Sequence, residues 1–273
     1  MQISIIACGW LGLPLGRFLV DNGHQVLGST TKETKKQALK DAGITPFLLN
    51  LNPAITCDNF SKLIDSELII INIPPRVAKN GQNFHYQQIQ NLVKNISDNF
   101  KEKTSPKIIF ISSTSVYPDQ NQIATENSEI LEDHILIKVE KFLKKSFKKL
   151  TILRFGGLMG YDRFPGKYYQ NKLVENWATG INYIHRDDAI SLINSILEKN
   201  IWNKTFNICS PIHPSRKEVL IKNCEELGLD FPIFSENPSN ENFKIISPEK
   251  VISITNYQFI YPNPLDFFYQ KEN

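Results

Sequence analysis

The stretch from Gln2 to Asn22 constrains the fold more than any other part of the chain. An apolar run, Gln2 to Cys8, gives way to Gly9-Trp10-Leu11-Gly12, and from Leu13 apolar residues return at helical spacing through Leu15, Phe18 and Leu19. A strand that ends in a glycine turn and opens directly into a helix is the first unit of a strand–helix–strand crossover. Set against the phosphate-cradling pattern G-x-G-x-x-G, the first glycine here is Ala7, the other two stand as Gly9 and Gly12, and Gly16 follows four residues on. Such glycines serve a tight turn, close approach of backbone to a pyrophosphate, and free amides at a helix N-terminus. An ordinary strand–helix turn would use the same residues. Their place between the first strand and the first helix is what points to a dinucleotide.

The alternation continues along the chain. Gln25 to Gly28 reads as a strand, Lys32 to Asp41 as a helix stopped by Gly43, and Phe47 to Leu51 as a third strand. Leu68 to Ile73 is uninterrupted apolar sequence, the pattern of a strand covered on both faces in a parallel sheet. A helix from Tyr86 to Phe100, a strand from Lys107 to Ile111, a helix from His134 to Lys148 and a strand from Leu150 to Arg154 follow. The rhythm predicts an α/β fold, a Rossmann-type doubly wound parallel sheet with a small C-terminal substrate-binding region. Residues 1–155 would form the nucleotide-binding domain, and 156–273 the smaller region, partly completing the sheet. In that smaller region helices are expected at Asp187 to Lys199 and Arg216 to Leu227, with a strand at Thr205 to Cys209.

Bulk properties narrow the partners. A net charge of +3 over 273 residues gives no case for nucleic acid, and the lysines between Lys138 and Lys149 interleave with Val139, Phe142, Leu143 and Phe147 as the solvated face of an amphipathic helix. Cys8, Cys57, Cys209 and Cys224 are far apart and show neither zinc-ligand spacing nor a disulfide framework. No run approaches the length of a membrane span, and the N-terminus lacks the parts of a signal peptide. A cytoplasmic protein with a small-molecule substrate is expected, without metal, nucleic acid or membrane, and compatible with a homodimer.

The end of the second strand bears on cofactor choice. An NAD site would place Asp or Glu there for the ribose hydroxyls. This chain has Ser29-Thr30-Thr31-Lys32 instead, three hydroxyls and a cation suited to a 2′-phosphate, which favours NADP with NAD as the alternative. A polar turn capping the next helix would have the same composition. Pro74-Pro75-Arg76, after the Leu68 strand, would form a rigid wall at the carboxyl edge of the sheet, along the crevice.

Taken together, four segments resemble the extended short-chain dehydrogenase/reductase superfamily, its NAD(P)-dependent epimerase/dehydratase group, and within it the shorter, atypical members. They are the glycine turn, Phe110-Ile111-Ser112-Ser113-Thr114-Ser115-Val116-Tyr117, Arg154-Phe155-Gly156-Gly157-Leu158-Met159-Gly160, and Ile184-His185-Arg186-Asp187-Asp188. The resemblance implies hydride exchange between a nicotinamide and a substrate carbinol, such as a sugar nucleotide or similar polar alcohol or carbonyl. It implies a catalytic Ser or Thr after the central strand and a Tyr-x-x-x-Lys on the next helix. Ser113 and Thr114 match the first element, with Thr114 on the substrate side and Ser112 on the cofactor side. At the second, Lys138 stands in place but the residue four before it is His134, not tyrosine. The i, i+4 spacing would put His134 and Lys138 on one helix face, where an imidazole could move a proton near neutral pH. A histidine near a helix start with no catalytic task fits equally well. The resemblance also implies that Tyr117 lines the substrate pocket, while Arg154 and Arg163 are candidates for a substrate phosphate or carboxylate. His185 and Asp188 read as a buried, hydrogen-bonded contact. Two functions stay open: an NADP-dependent reductase or epimerase, and a catalytically silent dinucleotide sensor.

Overall fold

The computed structural model describes residues 1–52, 54–75, 81, 83–100, 105–239 and 241–270. In the first part of the chain the elements are β1 (Gln2–Ile6), α1 (Gly12–Asp21), β2 (Gln25–Thr30), α2 (Lys36–Asp41), β3 (Thr45–Asn52), β4 (Ala54–Cys57), α3 (Phe60–Ile64), β5 (Leu68–Ile71), α4 (Phe84–Asn99) and β6 (Lys107–Ser113). There follow β7 (Gln122–Ala124), α5 (Ile135–Ser146), β8 (Leu150–Phe155), β9 (Gly157–Met159), α6 (Gly166–Tyr169), β10 (Leu173–Val174), β11 (Tyr183–His185) and α7 (Arg186–Glu198). The last are β12 (Thr205–Ile208), α8 (Arg216–Leu227), β13 (Ile233–Phe234), β14 (Lys244–Ile246) and α9 (Glu249–Thr255).

The main sheet runs β12-β8-β6-β5-β1-β2-β3-β4 and is mostly parallel. β1 pairs in parallel with β2 on one side and β5 on the other, so the chain winds outward in both directions from the β1/β5 junction. The carboxyl ends of those two strands frame the crevice of a doubly wound sheet. The expected fold class is therefore the observed one. The antiparallel β4 at the edge and the short α3 are additions that the sequence pattern did not announce.

Burial explains the centre of the sheet. Leu68, Ile69, Ile70 and Ile71 are all fully buried, as are Ile3, Ile5, Ile108, Ile109 and Phe110, and each such side chain contributes about 1.5–3 kcal/mol. α1 lies close on the sheet because Gly16 has no side chain: a Cβ there would stand 2.5 Å from Ile44 Cδ1. Gly23 and Gly43 end the first two helical segments at φ +81° and +74°, as expected of left-handed caps.

By contact, the chain forms two compact units interleaved in sequence. The first comprises Met1–Val116, Leu131–Leu153 and Asn200–Thr205; the second Tyr117–Ile130, Arg154–Lys199 and Phe206–Asn273. The sequence boundary near residue 155 lies beside the Leu153/Arg154 crossing, while Tyr117–Ile130 and Asn200–Thr205 cross the other way. The second unit carries the short pairs β9/β11, β10/β13 and β7/β14. Among the described residues no helix is long and apolar enough to cross a membrane.

Candidate functional site

In the first unit, the turn after β1 assigns each glycine-pattern position a different task. Ala7 adopts φ +77°, the left-handed conformation that the pattern normally gives to its first glycine. The backbone path is thus kept although the residue has changed, at a strain of about 1–2 kcal/mol. Gly9 is exposed, and a Cβ built on it would meet nothing within 4 Å. Gly12 is the reverse case: its Cβ would lie 2.6 Å from the Ala7 carbonyl oxygen and 3.2 Å from Asn72 Nδ2. Gly9 therefore leaves room in front of the turn, and Gly12 closes the turn onto itself. Leu11, at the N-cap of α1, makes no side-chain cap hydrogen bond, and the first turn has no acidic residue. Half-buried Trp10 and buried Leu11 complete the loop.

Two neighbours fix this turn, and neither was among the residues singled out in the sequence for that purpose. Asn72, just past β5, donates from Nδ2 to the Ala7 carbonyl at 3.1 Å, tying together the two loops of the β1/β5 junction. Ser29 Oγ accepts the Ala7 amide at 2.8 Å. That changes the reading of the Ser29–Lys32 group. Ser29 and Thr30 are buried, and Thr30 Oγ1 accepts the Lys32 amide at 3.3 Å, so these hydroxyls build the corner. Thr31 and Lys32 are exposed on it. Pro74 is exposed and Pro75 half-buried at the end of β5, while Arg76 lies outside the described residues.

At the end of β6, alternation along the strand separates two serines. Ser112 is buried and donates to Glu140 Oε1 of α5 at 2.6 Å, a bond that ties β6 to α5. Ser113 is half-buried, and its Oγ accepts the Ser115 amide at 3.1 Å. Thr114 is buried in the short turn that follows. Ser115 is exposed, with its Oγ 3.4 Å from His134 Nε2. Ser113, Ser115 and His134 thus form a connected run.

His134 stands one turn before Lys138, whose amide donates to the His134 carbonyl at 3.2 Å. The histidine is the N-cap of α5, with φ −63° and ψ 132°, and its Nδ1 accepts the Leu136 amide at 3.2 Å. An amide can only donate, so Nδ1 is the unprotonated nitrogen and Nε2 carries the hydrogen of the neutral ring. His134 presents an N–H toward the Ser113–Ser115 loop, not a basic lone pair. Lys138 is exposed, with Nζ 3.8 Å from Asp133 Oδ1.

In the second unit, Tyr117 and Arg154 turn inward. Tyr117 is fully buried; its hydroxyl accepts from Arg154 Nη1 at 2.8 Å and donates to Asn207 Oδ1 at 2.8 Å, and the guanidinium carbon stands 5.0 Å from the ring centre. Burial raises the phenol above its usual value against the opposing pull of Arg154. Neither residue lines a substrate surface, because each satisfies the other in the core. Arg163 is half-buried. Arg216 holds a comparable place among tyrosines: its Nη1 donates to Tyr169 Oη at 2.9 Å, and no carboxylate pairs with it among the described residues.

His185 and Asp188 are both buried but do not bond to each other. His185 caps α7 through Nδ1, which accepts the Asp187 amide at 3.3 Å, and donates from Nε2 to the Phe268 carbonyl at 3.4 Å. Asp188 accepts from Tyr257 Oη and from the amides of Ile260 and Tyr261. Together they anchor the C-terminal segment. Burial lowers the His185 imidazole and raises the Asp188 carboxyl, the latter against those three hydrogen bonds.

No family model matches the chain. Over 271 residues, 97% of both chains, it is 32% identical to protein YeeZ of Escherichia coli. The chain belongs to the YeeZ family. Its fold is that of the extended short-chain dehydrogenases/reductases, NAD-dependent epimerases among them. This YeeZ-family chain superposes on UDP-glucuronic acid 4-epimerase from Bacillus cereus, solved in complex with NAD, with a TM-score of 0.77, 16% identity, and coverage of 98% and 95% of the two chains. It is similar to UDP-N-acetylglucosamine 4-epimerase from the same organism, with a TM-score of 0.70, 14% identity and 97% coverage of each chain. A human epimerase family protein with NADPH gives a TM-score of 0.69 at 14% identity, covering 97% of this chain and 96% of that one.

Proposed function

We propose that this protein is an NADP-dependent oxidoreductase or epimerase that acts on a polar alcohol or carbonyl such as a sugar nucleotide. The observation that carries the reading is the turn after β1. A left-handed Ala7, an open Gly9 and a crowded Gly12 reproduce the three separate demands of a dinucleotide cradle at the β1/β5 junction. The solved relatives with NAD and NADPH support it. Exposed Thr31 and Lys32 would receive a ribose 2′-phosphate, with no acid at the end of β2 to repel it.

A bound nicotinamide would supply or accept the hydride. The chain's own groups hold the substrate oxygen. His134 donates its Nε2–H and polarises a carbonyl as a neutral imidazole; Ser113 and Ser115 add hydroxyls on the same run; Lys138 places a positive charge on the first turn of α5.

One observation favours the second reading, a dinucleotide sensor without turnover. The ring nitrogen that would take a proton, Nδ1 of His134, is occupied by the Leu136 amide. Fluorescence titration with NADPH and NADH, followed by a screen of polar carbonyls and alcohols with the bound cofactor, separates the two. Tighter NADPH binding with turnover supports the enzyme, and NADPH binding without turnover supports the sensor. Absence of binding to either nucleotide overturns both. Lys32→Ala should narrow the NADPH preference by about 1–2 kcal/mol.

A further inference from the structure

The lysines from Lys138 to Lys149 read in sequence as one solvated face, and the structure divides them. Lys138 stands beside Asp133, and Lys141 is paired with Glu132. Lys144, Lys145 and Lys148 have no carboxylate partner among the described residues. With Lys204, which arrives from more than fifty positions later in the sequence, they line a cleft of about 540 Å³ within the first unit. Among the described residues no Asp or Glu lines it, and Ser146 and Asn203 add neutral polar groups.

The backbone that presents Lys204 is fixed. Asn203 takes φ +59° in the turn before β12, its Oδ1 accepts the Leu150 amide at 3.2 Å, and the Lys204 carbonyl accepts the Ile152 amide at 2.9 Å. The negative end of α5 accounts for cations in its last turn, Lys144 and Lys145. It does not account for Lys148 beyond the helix or for Lys204 just before β12. Elsewhere Lys36, Lys222 and Lys244 each find an acid. Four ammonium groups around one concavity repel one another and focus a positive potential in it.

We propose that this cleft binds a di- or triphosphate group, free or carried on a nucleotide. A concave site of this volume suits a small ligand. A nucleic-acid track would need a basic stripe, whereas here the neighbouring Lys138 and Lys141 are already matched with acids. The ligand acts as an effector and not as the reacting substrate. The cleft is at the C-terminal end of α5 and His134 at its N-terminal end, and twelve helical residues span about 18 Å.

Isothermal titration of the full chain with sodium tripolyphosphate, and separately with ATP, at low salt tests the site. Tripolyphosphate should bind, Gly9→Val should leave that binding unchanged, and the Lys148→Gln/Lys204→Gln pair should weaken it about tenfold or more while circular dichroism stays native. The Lys148→Arg/Lys204→Arg pair should retain it. Equal affinities for the two ligands mean that the phosphates alone are read, and tighter ATP means that a nucleotide is the carrier. No binding at millimolar tripolyphosphate, unchanged binding in the glutamine pair, or loss of binding in Gly9→Val would each overturn the assignment.

Discussion

His134 Nδ1 accepts the amide hydrogen of Leu136 at 3.2 Å, so the residue at which the family resemblance implies a tyrosine is the N-cap of α5. Capping and substrate polarisation use different ring nitrogens and can be separated by substitution. His134→Ala should lower stability by about 1 kcal/mol through loss of the cap. His134→Asn, a strong cap, should restore most of that loss in a denaturant titration. Neither carries an Nε2–H, so both should reduce turnover on any substrate found, by about a hundredfold. Turnover in His134→Asn equal to the unmodified protein would leave capping as the residue's whole task.

Gly9 and Gly12 should respond oppositely to the same change. Gly9→Val points its side chain into open space, so the melting temperature should hold while NADPH affinity collapses. Gly12→Val drives a branched side chain against the Ala7 carbonyl and Asn72, with a cost of about 1–3 kcal/mol in stability besides any loss of binding. Thermal melts and nucleotide titrations on the two variants check this, and a destabilised Gly9→Val would show that the space before the turn is not open.

Ala7 holds φ +77°. Ala7→Gly should relieve about 1–2 kcal/mol of strain while adding about 0.5–1 kcal/mol of chain entropy to the unfolded state. The net expectation is a gain of up to about 1.5 kcal/mol with NADPH affinity unchanged. A lower melting temperature in Ala7→Gly would contradict the left-handed assignment.

The parts of the structure legible in the sequence are those set by local rules. Leu68–Ile71 showed as an apolar run because both faces of a central strand are covered, and Gly23 and Gly43 showed as helix stops because φ above zero selects glycine. β4 stayed hidden: it is a short edge strand whose Ile55 and Cys57 are only half-buried, too brief a pattern to register. Site residues were harder because their direction depends on distant partners. Arg154 reads as available for an anion, whereas in the structure it is buried with its Nη1 on the Tyr117 hydroxyl. Likewise, nothing in the sequence signals that the Ser112 hydroxyl meets Glu140, twenty-eight positions on. Asn72 gave no signal, since a lone asparagine after a strand predicts nothing until the Ala7 carbonyl stands 3.1 Å away.

His85 provides a prediction in pH. It lies in the first turn of α4, fully buried, and among the described residues neither ring nitrogen has a hydrogen-bond partner of good geometry. Burial lowers its pKa from 6.5 to about 4, with Gln88, one turn on, pulling the other way. The folded pKa lies below the unfolded one, so the full stability is present above pH 6.5 and is lost as pH falls through about 4, because the unfolded chain takes up a proton that the folded chain refuses. The slope reaches about 1.4 kcal/mol per pH unit, and the total for this residue is about 3 kcal/mol. His185 and His213 are also lowered by burial and add to the same acid weakening, so the test must isolate His85. His85→Phe removes both unpartnered nitrogens and should be neutral or slightly stabilising at pH 7. Between pH 7 and 4.5 the variant should lose about 2–3 kcal/mol less than the unmodified protein in urea unfolding. Parallel stability curves for the two proteins across that range would mean that His85 is solvated or paired in solution, and that its burial does not govern the acid limb.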